Sequence, residues 1–198
     1  MRKLGLWLFL LPVLAFAKHK DTFKFDIHQK DYRFSTVFEM DSKGKPLGTV
    51  VKSTFRLRGN YDVYDEYGEW EATGISRLLC LGIFKPWGAE IDVYDTKGNV
   101  IGLIDGQVAT TEAAKYSIYN SRGERVGIAF MDLTKAGFSI LDPEKETHVI
   151  ARLTRNFISD QIDYWDVMIY DVDVIDPAII KVFAAFAVDK QEYFKIDK

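Results

Sequence analysis

The chain has 198 residues, 47% of them hydrophobic, a formal net charge of −3 at pH 7 and a single cysteine. That is enough for one domain with a full core, and the acidic balance argues against nucleic acid as the main partner and gives no general pull toward anionic lipid. With only Cys80, no internal disulfide can form, so packing must stabilise the fold.

The first seventeen residues, "MRKLGLWLFLLPVLAFA", start with Arg2 and Lys3, continue as an apolar run from Leu4 and end in Ala15-Phe16-Ala17. This is the pattern of a secretory signal peptide, and its apolar run is shorter than the roughly 20 residues a spanning helix needs. Cleavage is expected after Ala17, leaving one domain over residues 18–198 with a charge of −5 once Arg2 and Lys3 are gone. The expectation is an exported protein, periplasmic or secreted, with no transmembrane span after cleavage and, since no cysteine follows the site, no lipid-modified N-terminus.

A phrase then recurs: "FEMDSKGKPLG" from Phe38, "YDVYDEYGEWEA" from Tyr61, "IDVYDTKGNVIG" from Ile91, "YSIYNSRGERVG" from Tyr116 and the degenerate "FSILDPEKETHVIA" from Phe138. Alternation at period two marks half-buried strands. The Asp-x-x-Gly between them has a mechanism: Asp or Asn favours the first position of a type I turn, and Gly accepts the positive φ that closes a three-residue hairpin with a bulge. Each copy is therefore predicted to be a β-hairpin. A propeller blade would need four strands per copy and a β-solenoid a shorter, stricter period, so the repeat predicts a meander that closes on itself to remove edge strands.

The last segment, "DPAIIKVFAAFAVDK", opens with Asp176 as N-cap and Pro177 in the first turn of a helix. From Ala178 to Val188 only Lys181 is polar. A helix apolar on every side belongs in a membrane or inside protein. Eleven residues reach only about 16 Å against a hydrocarbon core of roughly 30 Å, so enclosure by the barrel is expected.

A run of hairpins with Tyr-Asp-x-x-Gly turns, followed by a short apolar helix, resembles the tubby-like superfamily, and within it the LURP-one-related and phospholipid scramblase branches. The resemblance covers about Phe38 to Phe194 and is carried most specifically by "IDVYDTKGNVIGLI", "YSIYNSRGERVGIA" and "DYWDVMIYDVDVIDPAIIKVFAAFAVD". It implies a closed antiparallel barrel of about twelve strands around the C-terminal helix. It also implies lipid-related work, since tubby domains bind phosphoinositide headgroups and scramblases are associated with calcium-dependent lipid movement. Scramblases carry an acidic segment before the helix; here Asp160, Asp163, Asp166, Asp171, Asp173 and Asp176 fall in that region, with different spacing and without the Asp-Ala-Asp-Asn start.

Three groups of residues are candidates for a site. In "VVKSTFRLRG", strand alternation would put Lys52, Arg56 and Arg58 on one face and Val51, Phe55 and Leu57 on the other, so a row of cations would meet an anionic ligand or simply face solvent. Trp87, in the "FKPWG" loop, would insert at a membrane interface or fold onto the barrel end. Asp171 and Asp173 on one strand face, with Asp176, would hold calcium or serve as an outer polar face and a helix cap. The second role explains them without a metal, and no metal or cofactor is expected. Asp41, Asp65, Asp95 and Asp142 are turn residues, His19, His28 and His148 share no zinc-ligand spacing with Cys80, and no nucleophile elbow, P-loop or dinucleotide fingerprint occurs.

The residues thus point to a non-enzymatic binding domain for a phospholipid or other anionic amphiphile at the cell envelope, through Lys52, Arg56, Arg58 and Trp87. The alternatives are a structural or protein-interaction module and, less favoured, a hydrolase with an unrecognised site.

Overall fold

The computed structural model describes residues 22–80, 82, 88–107, 114–132, 137–145, 147–158 and 161–191; residues 1–17, expected to be a signal peptide, and Trp87 lie outside them. Twelve strands follow one another among these residues: β1 (Phe23–Tyr32), β2 (Ser35–Ser42), β3 (Lys45–Ser53), β4 (Asn60–Tyr64), β5 (Trp70–Ser76), β6 (Glu90–Asp95), β7 (Val100–Gln107), β8 (Lys115–Asn120), β9 (Arg125–Asp132), β10 (Gly137–Leu141), β11 (Val149–Ile158) and β12 (Gln161–Ile169). The helix α1 (Pro177–Asp189) comes last. Each strand pairs antiparallel with its sequence neighbour and β12 pairs with β1, so the meander is a closed barrel with no edge strand.

The five repeated phrases are the hairpins β2–β3, β4–β5, β6–β7, β8–β9 and β10–β11. In the middle three the expected turn is present. Asp65 Oδ1 accepts from the N–H groups of Tyr67 and Glu69, Asp95 Oδ1 from those of Lys97 and Asn99, and Asn120 Oδ1 from those of Arg122 and Glu124, all within 3.0 Å. The glycine that follows, Gly68, Gly98 or Gly123, has φ between 75 and 81°. The first phrase departs from the expectation. Lys43 and Gly44 both have positive φ, 55 and 76°, and close a two-residue turn between Ser42 and Lys45, as a type I′ turn requires.

A bulge follows each turn at the same place. The register skips Leu47, Glu71, Ile101, Val126 and Ile150 in the five hairpins, and the next residue is always small and buried: Gly48, Ala72, Gly102, Gly127 and Ala151. The small residue makes room. A Cβ on Gly102 would lie 2.4 Å from Ile179 Cδ1 of α1, and one on Gly127 would lie 2.8 Å from Ile175 Cδ1. Gly74 on β5 gives the same clearance to Val182. On the other side, Tyr116, Phe138 and Trp165 from β8, β10 and β12 fill the space, and Phe183 packs 5.2 Å from the rings of both Tyr116 and Phe138.

The helix is enclosed as expected, with every residue from Ala178 to Val188 buried and Asp176 Oδ1 accepting from the Ala178 N–H at 2.9 Å. The one charge within this buried run, Lys181, is neutralised by Glu71. Three of the equivalent bulge residues, Leu47, Ile101 and Val126, pack on the core instead, so the buried lysine and the one charged bulge residue answer each other.

Strand alternation gives the barrel two unlike ends. The repeat turns and the start of α1 share one, the hairpin end; the connections from odd to even strands and the end of α1 share the other, the mouth. The wall between them is polar outside: Lys24 pairs with Asp166 at 2.9 Å and Lys30 with Glu39 at 2.7 Å. This is a water-facing wall, unlike the apolar band of a membrane-spanning barrel. Among the described residues no helix is long and apolar enough to cross a membrane.

The seam that closes the barrel is sensitive to pH. Asp26 on β1 lies opposite Asp166 on β12 and Asp41 on β2, so three carboxylates share one row. Burial, then the hydrogen bond and charge of Asp166, push Asp26 up to about 6. For Asp166 burial acts upward too, but the hydrogen bonds from Asp26, Lys24 and Asn156 outweigh it and hold the carboxyl below its ordinary value. A raised folded pKa means that Asp26 contributes stability at low pH and loses it as pH rises through about 6. Asp26→Asn should therefore raise the melting temperature at pH 8 by the equivalent of about 1 kcal/mol, a value discounted for solvent screening, and by about half as much at pH 5. Equal melting shifts at the two pH values would contradict the shared proton.

Candidate functional site

The cationic row does not form as the alternation predicts. β3 stops at Ser53, because the N–H and Oγ1 of Thr54 both turn to the Phe34 carbonyl, at 3.2 and 2.9 Å, and residues 54–58 bend across the mouth. Lys52 is still in the strand and has the inward phase of Val50. Arg56 and Arg58 are exposed in the bend, and Phe55 and Leu57, expected on the opposite strand face, are exposed with them.

At the mouth the inward Lys52 meets the end of the helix. Its Nζ lies 2.6 Å from Asp189 Oδ1, Lys190 Nζ lies 2.9 Å from Asp189 Oδ2, and the Tyr61 hydroxyl donates to Oδ2 at 3.0 Å. Burial works to raise the Asp189 pKa, and the charges of Lys190 and Lys52 overcome it, so the carboxyl sits below its ordinary value and stays ionised. Burial and the adjacent carboxylate push Tyr61 well above the ordinary tyrosine value, which keeps its hydroxyl a donor.

Above this network is a pocket of about 260 Å³. Tyr61 and Phe186 form its floor, Lys52, Arg58, Arg77 and Lys190 its polar sides, and Leu57 and Leu78 its lip. Arg77 is fixed by Asp92, through Nε and Nη2 at 2.8 and 2.7 Å, and by Glu90 at 2.8 Å, and these contacts, the Asp92 hydrogen bonds foremost, raise its pKa further. Arg58 makes no ion pair among the described residues. The pocket thus combines apolar floor and lip with one uncommitted guanidinium and three cations already anchored to carboxylates. That arrangement suits a ligand with an anionic head and an apolar part.

Arg56 belongs elsewhere. It lies 3.5 Å from Asp62 and lines a second depression on the outer wall, where Asp62 Oδ1 also accepts from Asn60 and Thr73 at 2.7 and 2.6 Å. The structure therefore unites Lys52 with Arg58 and separates both from Arg56. Arg77, Lys190, Tyr61 and Asp189 are the residues that sequence reasoning missed at the mouth. The only local signal was the position of Asp189 and Lys190 at the end of an enclosed helix.

The acidic segment before the helix disperses. β12 ends at Ile169, so Asp171 and Asp173 lie in a turn and not on one strand face. Asp171 is buried with His148 Nε2 3.7 Å away, Asp173 is exposed, and Asp176 caps the helix. Asp166 serves the barrel seam, Asp160 lies outside the described residues, and nothing is described of the Asp163 side chain. Among the described residues no group of three or more His, Cys, Asp or Glu is placed to hold a metal ion.

No protein-family model matches the chain, and no curated protein matches its sequence. The closed barrel around a helix is the architecture implied by the tubby-like resemblance, and an architecture by itself defines a fold and not a family or an activity.

Proposed function

We propose that the chain is an exported, non-enzymatic barrel domain of the tubby-like and LURP-one-like kind, whose mouth binds a phospholipid or another anionic amphiphile at the cell envelope. The observation that carries this reading is the mouth pocket, where the apolar floor of Tyr61 and Phe186 lies within reach of Lys52, Lys190, Arg77 and Arg58, the last without an ion pair among the described residues. An anionic head would settle among the cations while its chain covers Leu57 and Leu78. Export is supported by the leader pattern of residues 1–17.

Titration with a water-soluble, short-chain phosphatidic acid tests it, with the matching short-chain phosphatidylcholine as comparison. The acidic compound should bind more tightly. Arg58→Glu should weaken it about tenfold, and Arg56→Glu, at the separate depression, much less. Equal binding of both compounds, or an unaltered affinity in Arg58→Glu, would remove the mouth as the site.

A second reading has one observation in its favour. The β4–β5 turn carries Asp65, Glu66 and Glu69 with Tyr67 exposed among them and Trp70 exposed at the start of β5, a surface suited to protein contact. A protein-interaction module becomes the better account if the mouth binds no amphiphile.

A further inference from the structure

We propose that the mouth is also a membrane-docking surface, which inserts Phe55, Leu57 and Leu79 into the interface of an anionic bilayer with the barrel axis along the membrane normal. This rests on reading the mouth as an amphiphile-binding end and extends it from one bound molecule to a lipid surface.

The argument begins with where apolar surface is left uncovered. Of the ten large hydrophobic side chains exposed among the described residues, six lie in or beside the β1–β2, β3–β4 and β5–β6 connections at the mouth. Phe55, Leu57 and Leu79 stand out at 76, 95 and 98% exposure. Scattered single exposures are ordinary on a soluble protein, but a cluster at one end marks a contact surface.

The cluster is also held in place. The two hydrogen bonds from Thr54 to the Phe34 carbonyl tie the β3–β4 bend to the β1–β2 turn and set the Phe34 and Phe55 rings 5.1 Å apart. Cys80 Sγ contacts the Arg77 carbonyl at 3.1 Å, which closes a turn around Leu78 and Leu79. Apolar tips on fixed loops lose little freedom when they enter an interface.

Charge selects the occupant. Of the three cations in the segment 52–58, "KSTFRLR", Lys52 is paired with Asp189 and Arg56 with Asp62, which leaves Arg58 to a ligand, whereas 65–71, "DEYGEWE", at the opposite end carries no cation and four carboxylates, of which Glu71 is paired with Lys181. A chain that is acidic overall is therefore polarised along the barrel, basic at the apolar end. An anionic surface would draw the mouth in and repel the hairpin end, which fixes one orientation. A neutral apolar protein partner would have no use for this polarity. Among the described residues the wall carries charges of both signs, with ion pairs such as Lys24–Asp166 and Lys30–Glu39, and no comparable cluster of exposed apolar side chains.

The test uses the full chain, expressed with its leader and purified after export, in a Cys80→Ser background. An environment-sensitive label is placed at Leu57→Cys, Leu79→Cys or, at the other end, Tyr67→Cys. Phosphatidylcholine vesicles with phosphatidylglycerol should blue-shift the labels at 57 and 79 and expose them to quenching by spin-labelled lipid, leaving the label at 67 unchanged. The double variant Leu57→Asp/Leu79→Asp should lose about tenfold or more in vesicle affinity and keep the wild-type melting temperature, because both side chains are in solvent. Absence of vesicle binding, vesicle binding without a shift at 57 and 79, or a shift at 67 would overturn the proposal. Failure of docking is distinguished from failure of the pocket by the short-chain phosphatidic acid: if that compound still binds while the labels stay silent, the pocket stands and insertion falls.

Discussion

Phe183→Asp is expected to leave no folded protein. Phe183 is fully buried in the middle of α1, with the rings of Tyr116 and Phe138 each 5.2 Å away. Removing a core phenylalanine side chain costs about 3–5 kcal/mol, and an unpaired carboxylate in its place adds several more. The sum is comparable to the whole net stability of a domain, roughly 5–15 kcal/mol. The apolar control Phe183→Leu, three carbons smaller and without a buried charge, should lose only about 1–3 kcal/mol. Soluble yield and thermal melting read both variants; a cooperative wild-type melt for Phe183→Asp would refute a helix that the barrel needs as its core.

The second large effect is at Gly102. A Cβ there would meet not only Ile179 Cδ1 at 2.4 Å but the Tyr119 carbonyl oxygen at 2.7 Å, and a backbone oxygen in a ladder cannot swing aside. Gly102→Val should therefore destabilise by about 3 kcal/mol or more. Gly98, four residues earlier, has φ +81° with nothing within 4 Å of its Cβ position, so Gly98→Ala meets only the left-handed backbone penalty of about 1 kcal/mol. Chemical denaturation of the two variants should separate helix clearance from turn conformation, and equal losses would contradict the fit of α1 against β7.

What was legible in the sequence is what is decided locally. Asp65, Asp95 and Asn120 bond their own turns, so Asp-x-x-Gly between alternating runs announces a hairpin wherever it stands. Asp176-Pro177 followed by an apolar run announces α1 in the same way. The small residue that ends each phrase was visible too, but its purpose depends on a helix that comes later in the chain.

The mouth was only partly legible, because its geometry is set by contacts between distant segments. "STFRLR" has ordinary strand-forming residues, and the end of β3 at Ser53 comes from Phe34, twenty residues from Thr54. Likewise Asp189 meets Lys52 and Tyr61 across more than a hundred residues, a meeting that exists only once the barrel has closed around α1. Lys181 was conspicuous as the one polar residue between Ala178 and Val188, and its partner Glu71 could be found only from the register that places a bulge there.

The most direct test of the account is cosedimentation of the purified protein with phosphatidylcholine vesicles and with vesicles that also contain phosphatidylglycerol, each with and without calcium. The account predicts pelleting with the anionic vesicles, little with the neutral ones, and no dependence on calcium, since the acidic segment before α1 is dispersed into a seam residue, a buried turn residue and a cap. Equal behaviour with both vesicle types would contradict a lipid-binding mouth, and a calcium requirement would contradict the roles given to Asp166, Asp171 and Asp176.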